Sequence, residues 1–556
     1  MKIALYQINP IIGDLKGNFE KIANCVEKGR ADGADLCLFP ELSLCGYPPQ
    51  DLVLHRHFID RMEFYLQKLV SLSKGITIVV GTVRRNLGGG EKPFYNSAAV
   101  IDDGKILGYQ DKWLLPTYDV FTEARYFEPG RHTQIFEIKG VRIGILICED
   151  IWKHAGYVTE TAYSRDPVEA LKKNNPDILL NLTASPYQYQ KPHIRIKVCA
   201  RSAKTLECPV IYCCQVGAND QLIFDGMSLV VGRDGHLIHQ CKGFEEDSFI
   251  FDMKKEDYHA QYLSYQSFDN LRYALQLGIK DYFYKSGFQK ACIGLSGGID
   301  CAVVATLAAG ALGAENVLGI MMPSRYSSEG SVSDAKELAK NLGIKTLEIG
   351  IEKPFKAFLE TLEETFKGEK ENVTEENLQA RIRGTILMAI SNKFGHIVLS
   401  TGNKSEIALG YCTLYGDMCG GLGVIADVAK TQVYNLARWM NREKEIIPQA
   451  TIDKPPSAEL RPNQIDLDTL PDYGIIDVIL EGYVEDYLPV EQVAARYGIP
   501  IDIVISIVTK IHGSEYKRQQ SAPILRVSKK SFGAGRKYPI VNNWPAHLKD
   551  SAFKTF

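Results

Sequence analysis

The chain has 556 residues, well beyond the ~100 to 200 residues of a typical domain, so at least two hydrophobic cores are expected. Apolar residues make up 45% and charged residues 24%, which excludes wholesale disorder. The formal charge of −3, from 64 basic and 67 acidic residues, provides no global field that would attract nucleic acid or an anionic membrane, so neither is expected as a partner.

The N-terminal segment MKIALYQINP predicts a first β-strand, since polar residues interrupt its short apolar run where a secretory signal would continue. The stretch from Cys301 to Ala314 is too short for the ~20 residues of a membrane-spanning helix. Thirteen cysteines are scattered without a CxxC pair, which favours reduced thiols over disulfides or structural zinc. We therefore expect a cytoplasmic protein.

Residues 1–255 alternate short β-rich runs with helix-compatible segments, which predicts a layered α/β domain. The predicted strands are Leu36–Phe39, Ile76–Val80, Val141–Cys148, Ile178–Asn181 and Val210–Cys213. Residues 256–272 are polar and rich in tyrosine, and we interpret them as a linker.

Residues 273–556 resume the alternation, which is typical of a parallel sheet with crossover helices. The predicted elements are strand Ala291–Leu295, a helix from Ile299, strand Val317–Met321, helix Val332–Leu342 and strand Ile397–Ser400. Three stretches are predicted to be irregular loops and candidate substrate lids: Lys367–Glu376, Gly416–Gly423 and Pro448–Pro471.

In the first half, Glu41, Lys112 and Cys148 each stand where an apolar strand stops. Residues at the ends of neighbouring strands can converge on one rim of an α/β layer. A thiol nucleophile, a carboxylate that moves its proton and an ammonium that stabilises an oxyanion form a complete set for amide cleavage. Taken singly, each residue has a plainer explanation, as a solvated strand end or as a core thiol.

The segments FPELSLCGYPP, DKWLLPTYDVF and GILICEDIW resemble, in this order and spacing, the signatures of the nitrilase (carbon-nitrogen hydrolase) superfamily. The resemblance implies a four-layer αββα sandwich with Glu41 as general base, Lys112 as oxyanion stabiliser and Cys148 as nucleophile. The segment NLTASPYQYQK is similar to the glutamine pocket of glutaminase members, which implies that Ser185, Lys191 and Tyr118 contact glutamine. Lys191 departs from the Arg of some relatives, and an ordinary polar loop is the alternative.

In the second half, KACIGLSGGIDCAVV places a strand, a Ser-Gly-Gly turn and a helix in succession, a pattern that favours phosphate binding by backbone N–H groups. The loop lacks the Lys of a Walker A motif. It resembles the loop of the ATP pyrophosphatase family, although Cys301 replaces a common Ser or Thr, and a tight structural turn is the alternative. The resemblance implies that ATP contacts Gly294, Leu295, Ser296, Gly297, Gly298, Ile299, Asp300 and Cys301.

The segment LSTGNKSEIALGYCTLYGD supplies Thr401 at a strand end and Glu406, which together with Asp300 suits magnesium. The segment ENLQARIRG supplies polar and cationic groups fit for a ribose and phosphates, namely Asn377, Gln379, Arg381 and Arg383. Residues 513–540 are rich in Lys and Arg, including Lys517. A solvated tail and a nucleic-acid patch are alternatives for this basic stretch, and a small phosphorylated ligand is favoured.

Together with KTQVYNLARW and KSFGAGRKYPI, these segments resemble the synthetase half of the glutamine-dependent NAD synthetase family. The resemblance implies that Thr401 contacts ATP and that Asn377, Glu406 and Lys517 contact nicotinic acid adenine dinucleotide (deamido-NAD). It also implies Mg²⁺ at Asp300 and Glu406, and a homo-oligomer. Lys430 is a further candidate for phosphate contact.

The implied activity is ATP-dependent amidation of deamido-NAD to NAD, with ammonia taken from glutamine. Two rivals remain from the sequence: an amidotransferase of the same two-domain type that acts on another adenylated acceptor, and a sensor that binds nucleotide and glutamine without turnover.

Overall fold

The computed structural model describes residues 1–157, 161–255, 258, 267–462 and 464–548. The chain forms two compact units, residues 1–270 and residues 271–556. Within the described residues, no helix combines the length and apolar character needed to cross a bilayer.

The first unit is built on two mixed sheets and a hairpin. Its strands are β1 (Lys2–Gln7), β2 (Leu36–Leu38), β3 (Thr77–Arg85), β4 (Phe94–Asp102), β5 (Lys105–Asp111), β6 (Ile135–Ile138), β7 (Val141–Ile147), β8 (Ile178–Thr183), β9 (Val210–Cys214), β10 (Val216–Asn219), β11 (Leu222–Asp225), β12 (Leu229–Val231), β13 (Leu237–Gln240) and β14 (Asp247–Asp252). Its helices are α1 (Leu15–Ala31), α2 (Arg56–Leu72), α3 (Pro167–Lys172) and α4 (Lys191–Leu206), with 3₁₀ turns at Gln50–Leu54, Glu123–Arg125 and Cys148–Ile151.

The described strands of the first sheet run in the order β14-β1-β2-β3-β4-β5, and those of the second in the order β13-β12-β9-β8-β7-β6. Alternate side chains of β1 and β7, such as Leu5 and Ile145, share one core between the two sheets. The opposite faces pack against α1 and α2 on one side and against α3 and α4 on the other. Because strands buried on both faces are apolar throughout, this arrangement explains the continuous runs in the sequence, and the predicted αββα sandwich is confirmed.

The second unit carries a parallel sheet flanked by helices. Its strands are β15 (Lys290–Gly294), β16 (Val317–Met321), β17 (Lys345–Glu348), β18 (His396–Ser400) and β19 (Leu422–Gly423). Its helices are α5 (Ser267–Lys285), α6 (Ile299–Leu312), α7 (Glu329–Leu342), α8 (Glu352–Leu362), α9 (Val373–Phe394), α10 (Lys404–Leu409), α11 (Lys430–Met440), α12 (Gln449–Asp453), α13 (Tyr473–Ile479), α14 (Val490–Tyr497), α15 (Ile501–Gly513), α16 (Glu515–Arg518) and α17 (Trp544–His547). Short 3₁₀ turns lie at Ala314–Asn316 and Asp466–Asp468, and α13 continues into a π-helix at Leu480–Glu485.

The strand order of this sheet is β17-β16-β15-β18-β19, with parallel pairing throughout the described strands. The chain therefore winds outward from β15 through β16 to β17, then returns to add β18 on the other side. Open α/β sheets bind ligands outside the carboxyl ends of the strands where the winding reverses. In this unit the reversal lies between β15 and β18, and the predicted parallel sheet is confirmed.

Two of the three stretches predicted to be irregular contain helix. Residues 373–376 form the first turn of α9, because Asn372 caps its N-terminus with a side-chain bond to the N–H of Thr374 and Glu375 completes a capping box. The Pro-rich stretch contains α12 and a 3₁₀ turn. The third stretch, Gly416–Gly423, is irregular until β19.

The predicted linker, residues 256–272, lies largely outside the described residues. Residues 267–272 belong to α5. The domain limits at 255 and 273 stay predictions.

Candidate active sites

Cys148 is the first residue after β7 and opens a 3₁₀ turn. Its backbone adopts φ 46°, a left-handed conformation that is costly for a side chain other than glycine and is often found at functional sites. Burial, reinforced by the charge of Glu41 and opposed by that of Lys112, raises the pKa of its thiol well above the ordinary value. The thiol is therefore protonated at neutral pH and needs a base before it can attack.

Glu41 and Lys112 form a buried ion pair, with 2.7 Å between Lys112 Nζ and Glu41 Oε1. Asn96 Nδ2 donates to the same oxygen at 2.8 Å, and the N–H of Ala184 donates to Oε2 at 2.9 Å. Ala184 follows β8 of the second sheet, whereas Glu41 follows β2 of the first. The carboxylate therefore sits where strand ends of both sheets meet.

A second buried carboxylate, Glu123, completes the surroundings of Lys112. Its Oε1 accepts a hydrogen bond from Lys112 Nζ at 2.7 Å and from the Tyr47 hydroxyl at 2.8 Å. Burial, partly offset by Lys112, raises the pKa of Glu123 to about 7. Burial disfavours the charge of Lys112, but Glu123 and Glu41 outweigh it and hold the Lys112 pKa well above its ordinary value. Sequence reasoning missed Glu123, because one acidic residue in FTEAR carries no distinguishing pattern.

Asp150 links the loop of Lys112 to the turn of Cys148. Its carboxylate accepts the N–H groups of Trp113 at 3.1 Å, Leu114 at 2.8 Å and Ile147 at 3.0 Å. Because these bonds fix the backbone on both sides, they bring Lys112 and Cys148 together, and Glu41 joins them through its ion pair with Lys112. The three residues that the sequence predicts for amide cleavage therefore lie close together in the structure.

Two of the three residues predicted to contact glutamine lie beside the same turn, and the third, Ser185, comes shortly after β8. The Tyr118 hydroxyl donates to Glu149 Oε1 at 3.1 Å, and Lys191 Nζ lies 5.3 Å from the centre of the Trp152 ring. Ser185 is buried beside Ala184, and its carbonyl accepts a bond from Arg195 at 2.9 Å. Arg195 is in turn paired with buried Asp225 at 2.7 Å. Glu149 itself, which the sequence analysis did not single out, is buried, and burial raises its pKa.

In the second unit, the Ser-Gly-Gly turn joins β15 to α6 as predicted. Gly297 has φ +79°, and a Cβ there would lie 2.2 Å from the carbonyl oxygen of Ser331. Only glycine fits this position without displacing backbone. The Cys301 thiol turns back onto the loop, 3.1 Å from the Gly298 carbonyl oxygen and 3.4 Å from the Ser296 nitrogen.

Two adjoining cavities open beside this turn, of about 360 Å³ and about 240 Å³. Ser296 and Thr401, at the ends of β15 and β18, line both. The following predicted residues line at least one cavity: Gly294, Leu295, Gly298, Ile299, Asp300, Cys301, Asn377, Glu406 and Lys517. The cavities thus occupy the point where the sheet reverses its winding. Gly297 lines neither of these two cavities, but it packs against Ser331, which lines both.

Asp300 and Glu406 lie together, because Lys430 Nζ bonds to both carboxylates, at 3.1 Å from Glu406. Asn403 Nδ2 donates to Asp300 Oδ1 at 3.0 Å and Asn403 Oδ1 accepts the N–H of Glu406 at 3.0 Å. Burial raises the Glu406 pKa to about 7 despite Lys430. Among the described residues, no group of three His, Cys, Asp or Glu side chains is arranged to hold a metal. Mg²⁺ usually takes one or two carboxylates plus phosphates and waters, and this pair fits that donor set.

Lys517 and Asn377 reach the larger cavity, but both also make internal bonds. Lys517 Nζ donates to the carbonyls of Gly410 and Cys412, each at 2.7 Å, and Asn377 Oδ1 accepts a bond from Thr413 at 2.7 Å. From the other polar positions of ENLQARIRG, the side chains donate to backbone carbonyls: Gln379 to Leu460, Arg381 to Leu414 and Arg383 to Met322.

The phosphorylated ligand expected for the basic stretch stays a prediction, but three arginines of this stretch have partners within the protein. Arg518 is buried, donates to the Ala408 carbonyl at 2.7 Å and pairs with Glu515. Arg536 pairs with the same glutamate, and Arg526 donates to the Lys529 carbonyl. These cations close helix ends and hold the C-terminal segment, because Glu515 and backbone carbonyls supply the partners that a phosphate would otherwise provide.

A sequence model described as carbon-nitrogen hydrolase matches residues 2–261, and one described as NAD synthase matches residues 272–521. The chain is 46% identical over 547 residues to a glutamine-dependent NAD(+) synthetase of Synechocystis, which covers 97% of this chain and 98% of that relative. It is 41% identical over 588 residues to a protein of the same name from Thermotoga maritima, with 99% and 100% covered.

Among solved structures, a glutamine-dependent NAD+ synthetase from Acinetobacter baumannii in complex with ADP is similar to this chain. The TM-score is 0.76 at 39% sequence identity, and the alignment covers 98% of this chain and 99% of that one.

The raised pKa of Glu123 predicts that the stability of the folded protein depends on pH. Its pKa of about 7 exceeds the value of about 4.3 of an unfolded glutamate, so the folded state keeps a proton that the unfolded state loses. This contribution is complete below about pH 4 and is lost as the pH rises to about 7. Between pH 5 and 8, the stability of the wild type should fall relative to Glu123→Gln by about 1 to 3 kcal/mol. Melting temperatures of the wild type and Glu123→Gln, measured across this pH range, test the prediction. The control is Glu137→Gln, at an exposed position. Parallel profiles of melting temperature against pH for all three proteins would contradict the prediction.

Gly297→Ala should weaken ATP binding by about tenfold or more, since strain at a left-handed position costs about 1–3 kcal/mol and the new methyl group meets the Ser331 backbone. The matched control is Gly330→Ala, where a Cβ meets nothing within 4 Å. Titration calorimetry with ATP compares the two, and wild-type affinity in both variants would refute the role given to this turn.

Proposed function

The chain belongs to the family of glutamine-dependent NAD(+) synthetases, and we propose that its two units perform the two halves of that reaction, one at each of the two sites. It is a ligase that forms NAD with glutamine as the nitrogen donor. The full-length similarity carries this conclusion, and it favours deamido-NAD over another adenylated acceptor. Each chemical step falls to residues of one unit.

In the first unit, Cys148 Sγ attacks the side-chain amide carbon of glutamine while Glu41 accepts the thiol proton. Because burial keeps the thiol protonated, proton removal has to accompany attack, and a carboxylate close by supplies the base. The C–N bond then breaks, and the proton returns from Glu41 to the departing nitrogen as ammonia. Water, activated by the same carboxylate, releases glutamate from the thioester and restores the thiol.

Lys112 stabilises the oxyanion of the tetrahedral intermediate. Its charge is secured by Glu41 and Glu123 on either side, and its position is fixed before substrate arrives. A preorganised cation in a buried site costs no reorganisation at the moment of reaction.

The glutamine pocket needs opposite charges for the α-ammonium and α-carboxylate of the substrate. We assign the α-carboxylate to Lys191 and the α-ammonium to Glu149, whose carboxylate is oriented by Tyr118. Ser185, immobilised through Arg195, offers a hydroxyl to the same substrate. Each charged end of glutamine then meets a partner, so neither is buried unpaired.

In the second unit, the nicotinate carboxylate of deamido-NAD attacks the α-phosphorus of ATP, pyrophosphate leaves, and an acyl adenylate forms. Ammonia then attacks the acyl carbon, and AMP leaves to give NAD. The turn from Gly294 to Cys301 and Thr401 bind ATP in this scheme. Asn377, Glu406 and Lys517 contact the dinucleotide. Lys430 stabilises the negative charge that develops on the phosphates during the reaction.

Asp300 and Glu406 would hold Mg²⁺, which when bound neutralises phosphate charge on ATP and on the departing pyrophosphate. Lys430 bridges the same two carboxylates. It therefore balances their charge and keeps them apart at a fixed spacing in the ligand-free protein.

Free ammonia is largely protonated in neutral water and then loses its nucleophilicity. We therefore expect ammonia to be shielded from water until it reacts. A cytoplasmic location is supported by the thirteen free cysteines of the chain, since an oxidising compartment favours disulfides. A homo-oligomer is proposed from the sequence resemblance alone.

Cys148→Ala should abolish NAD formation from glutamine and leave NAD formation from ammonium chloride within about twofold of the wild type, because only the first half needs the thiol. NAD is quantified with ATP, magnesium and deamido-NAD present. Cys25→Ala, at a half-buried thiol on α1, is the matched control and should retain both activities. Loss of the ammonium-driven activity as well would show that the sites are not separable.

A further inference from the structure

Lys404 carries a buried ammonium group that the proposed mechanism does not use. The residue is 2% exposed. Its Nζ donates to Ser528 Oγ at 2.7 Å and to the Lys530 carbonyl at 2.9 Å, lies 3.1 Å from Asp427 Oδ1, and pairs with Glu485. A buried charge persists only when it is paired and hydrogen-bonded. Every donor of this ammonium is occupied, so the side chain has one fixed position.

These bonds attach residues 524–530, the C-terminal segment, to the start of α10. Asp427 also accepts the N–H groups of Val527 and Ser528, each at 2.8 Å, and the Ser528 hydroxyl at 2.7 Å. Ile524, a few residues earlier, lines the larger cavity. Lys404 and Asp427 thus hold one wall of the cavity against the sheet.

The residues on either side of Lys404 belong to the proposed nucleotide site. Asn403 bonds to Asp300 at 3.0 Å and to the N–H of Glu406 at 3.0 Å. With only six residues, α10 gains little stability of its own and depends on tertiary contacts for its position. A shift of Lys404 would therefore move Asn403 and Glu406 with it.

The π-helix after α13 explains how Glu485 reaches Lys404. Asp477, on α13, accepts bonds from the Ser405 hydroxyl and from the Thr431 N–H and hydroxyl, the last two at 2.8 and 2.7 Å. Glu485 follows eight residues later, beyond two α-helical turns of 3.6 residues. The i→i+5 bonds of a π-helix enclose more residues per turn, which returns Glu485 toward the face that carries Asp477. One helix face therefore supports both Lys404 and Ser405.

We propose that Lys404 is a positioning residue for the ATP-dependent half-reaction, in which its ammonium, held by Asp427, Glu485 and the C-terminal segment, fixes Asn403 and thereby the spacing of Asp300 and Glu406. The proposal rests on the proposed function, which gives those two carboxylates their roles at the nucleotide site. Lys404 touches neither substrate in this arrangement and acts through its neighbours.

Lys404→Met keeps most of the side-chain volume and removes the charge. We expect kcat for ammonium-driven NAD formation to fall by about 10- to 100-fold, since displacements of about 1 Å at reacting groups cost that much. The KM for ATP should stay within about twofold, because most of the cavity wall is unchanged. Glutamate release, which depends on the first unit, should be unaffected.

Lys404→Met leaves two carboxylates without their cation and can impair folding. Glu485→Gln is therefore the second variant, since it keeps an acceptor and leaves the other partners of Lys404 in place; here kcat should fall about 3- to 10-fold. The matched controls are Lys336→Met and Glu348→Gln, which break an exposed Lys–Glu pair of 3.0 Å in the same unit and should leave kcat unchanged.

Amide hydrogen exchange of the intact variants separates positioning from general loss of structure. In Glu485→Gln, exchange should accelerate in peptides covering residues 401–409 and 524–530 and stay unchanged in β15 and β16. A wild-type kcat in folded Glu485→Gln would overturn the proposal, as would a kcat loss that follows only the folded fraction. If wild-type protein made no NAD from ammonium, the proposed function would fail instead, so the two failures are distinguishable.

Discussion

A buried lysine held between two carboxylates is the interaction on which both sites depend. Lys112 lies between Glu41 and Glu123, Lys430 between Asp300 and Glu406, and Lys404 between Asp427 and Glu485. Removing one member of such a set leaves an uncompensated buried charge, at a cost of about 3–5 kcal/mol. Each set therefore fixes several chain segments at once. In the proposed mechanism, the sets of Lys112 and Lys430 also hold charge where the reactions develop it.

The two sheet architectures bring these sets together in different ways. In the first unit, Glu41 follows a strand of one sheet while Ala184 and Cys148 follow strands of the other, so the sandwich has to form before the proposed base and the proposed nucleophile can meet. In the second unit, the site lies where the winding of one parallel sheet reverses, between β15 and β18. The Ser-Gly-Gly turn, which we propose binds phosphate, lies at this crevice, where strand ends and a helix N-terminus favour an anion.

Much of the fold was predictable because apolar runs and strand-turn-helix junctions are local signals. Cys148 directly follows β7, and the Ser-Gly-Gly turn directly follows β15, as the sequence indicated. Glu123, Asn403 and the surroundings of Lys404 were not predictable, since their importance arises from partners distant in sequence. The internal partners of Arg518 and Arg536 were not predictable for the same reason: the carboxylate of Glu515 and the helix-end carbonyls are brought to them by tertiary packing.

In the proposed mechanism, nitrogen released at Cys148 becomes the amide nitrogen of NAD. The most direct measurement supplies purified protein with ATP, magnesium, deamido-NAD and glutamine labelled with ¹⁵N in its side-chain amide, alongside unlabelled ammonium, and determines the isotope in NAD by mass spectrometry. Coupled halves predict NAD enriched in ¹⁵N well above the label present in the ammonium pool. Release of labelled ammonia and glutamate with no ¹⁵N in NAD would contradict this transfer of nitrogen.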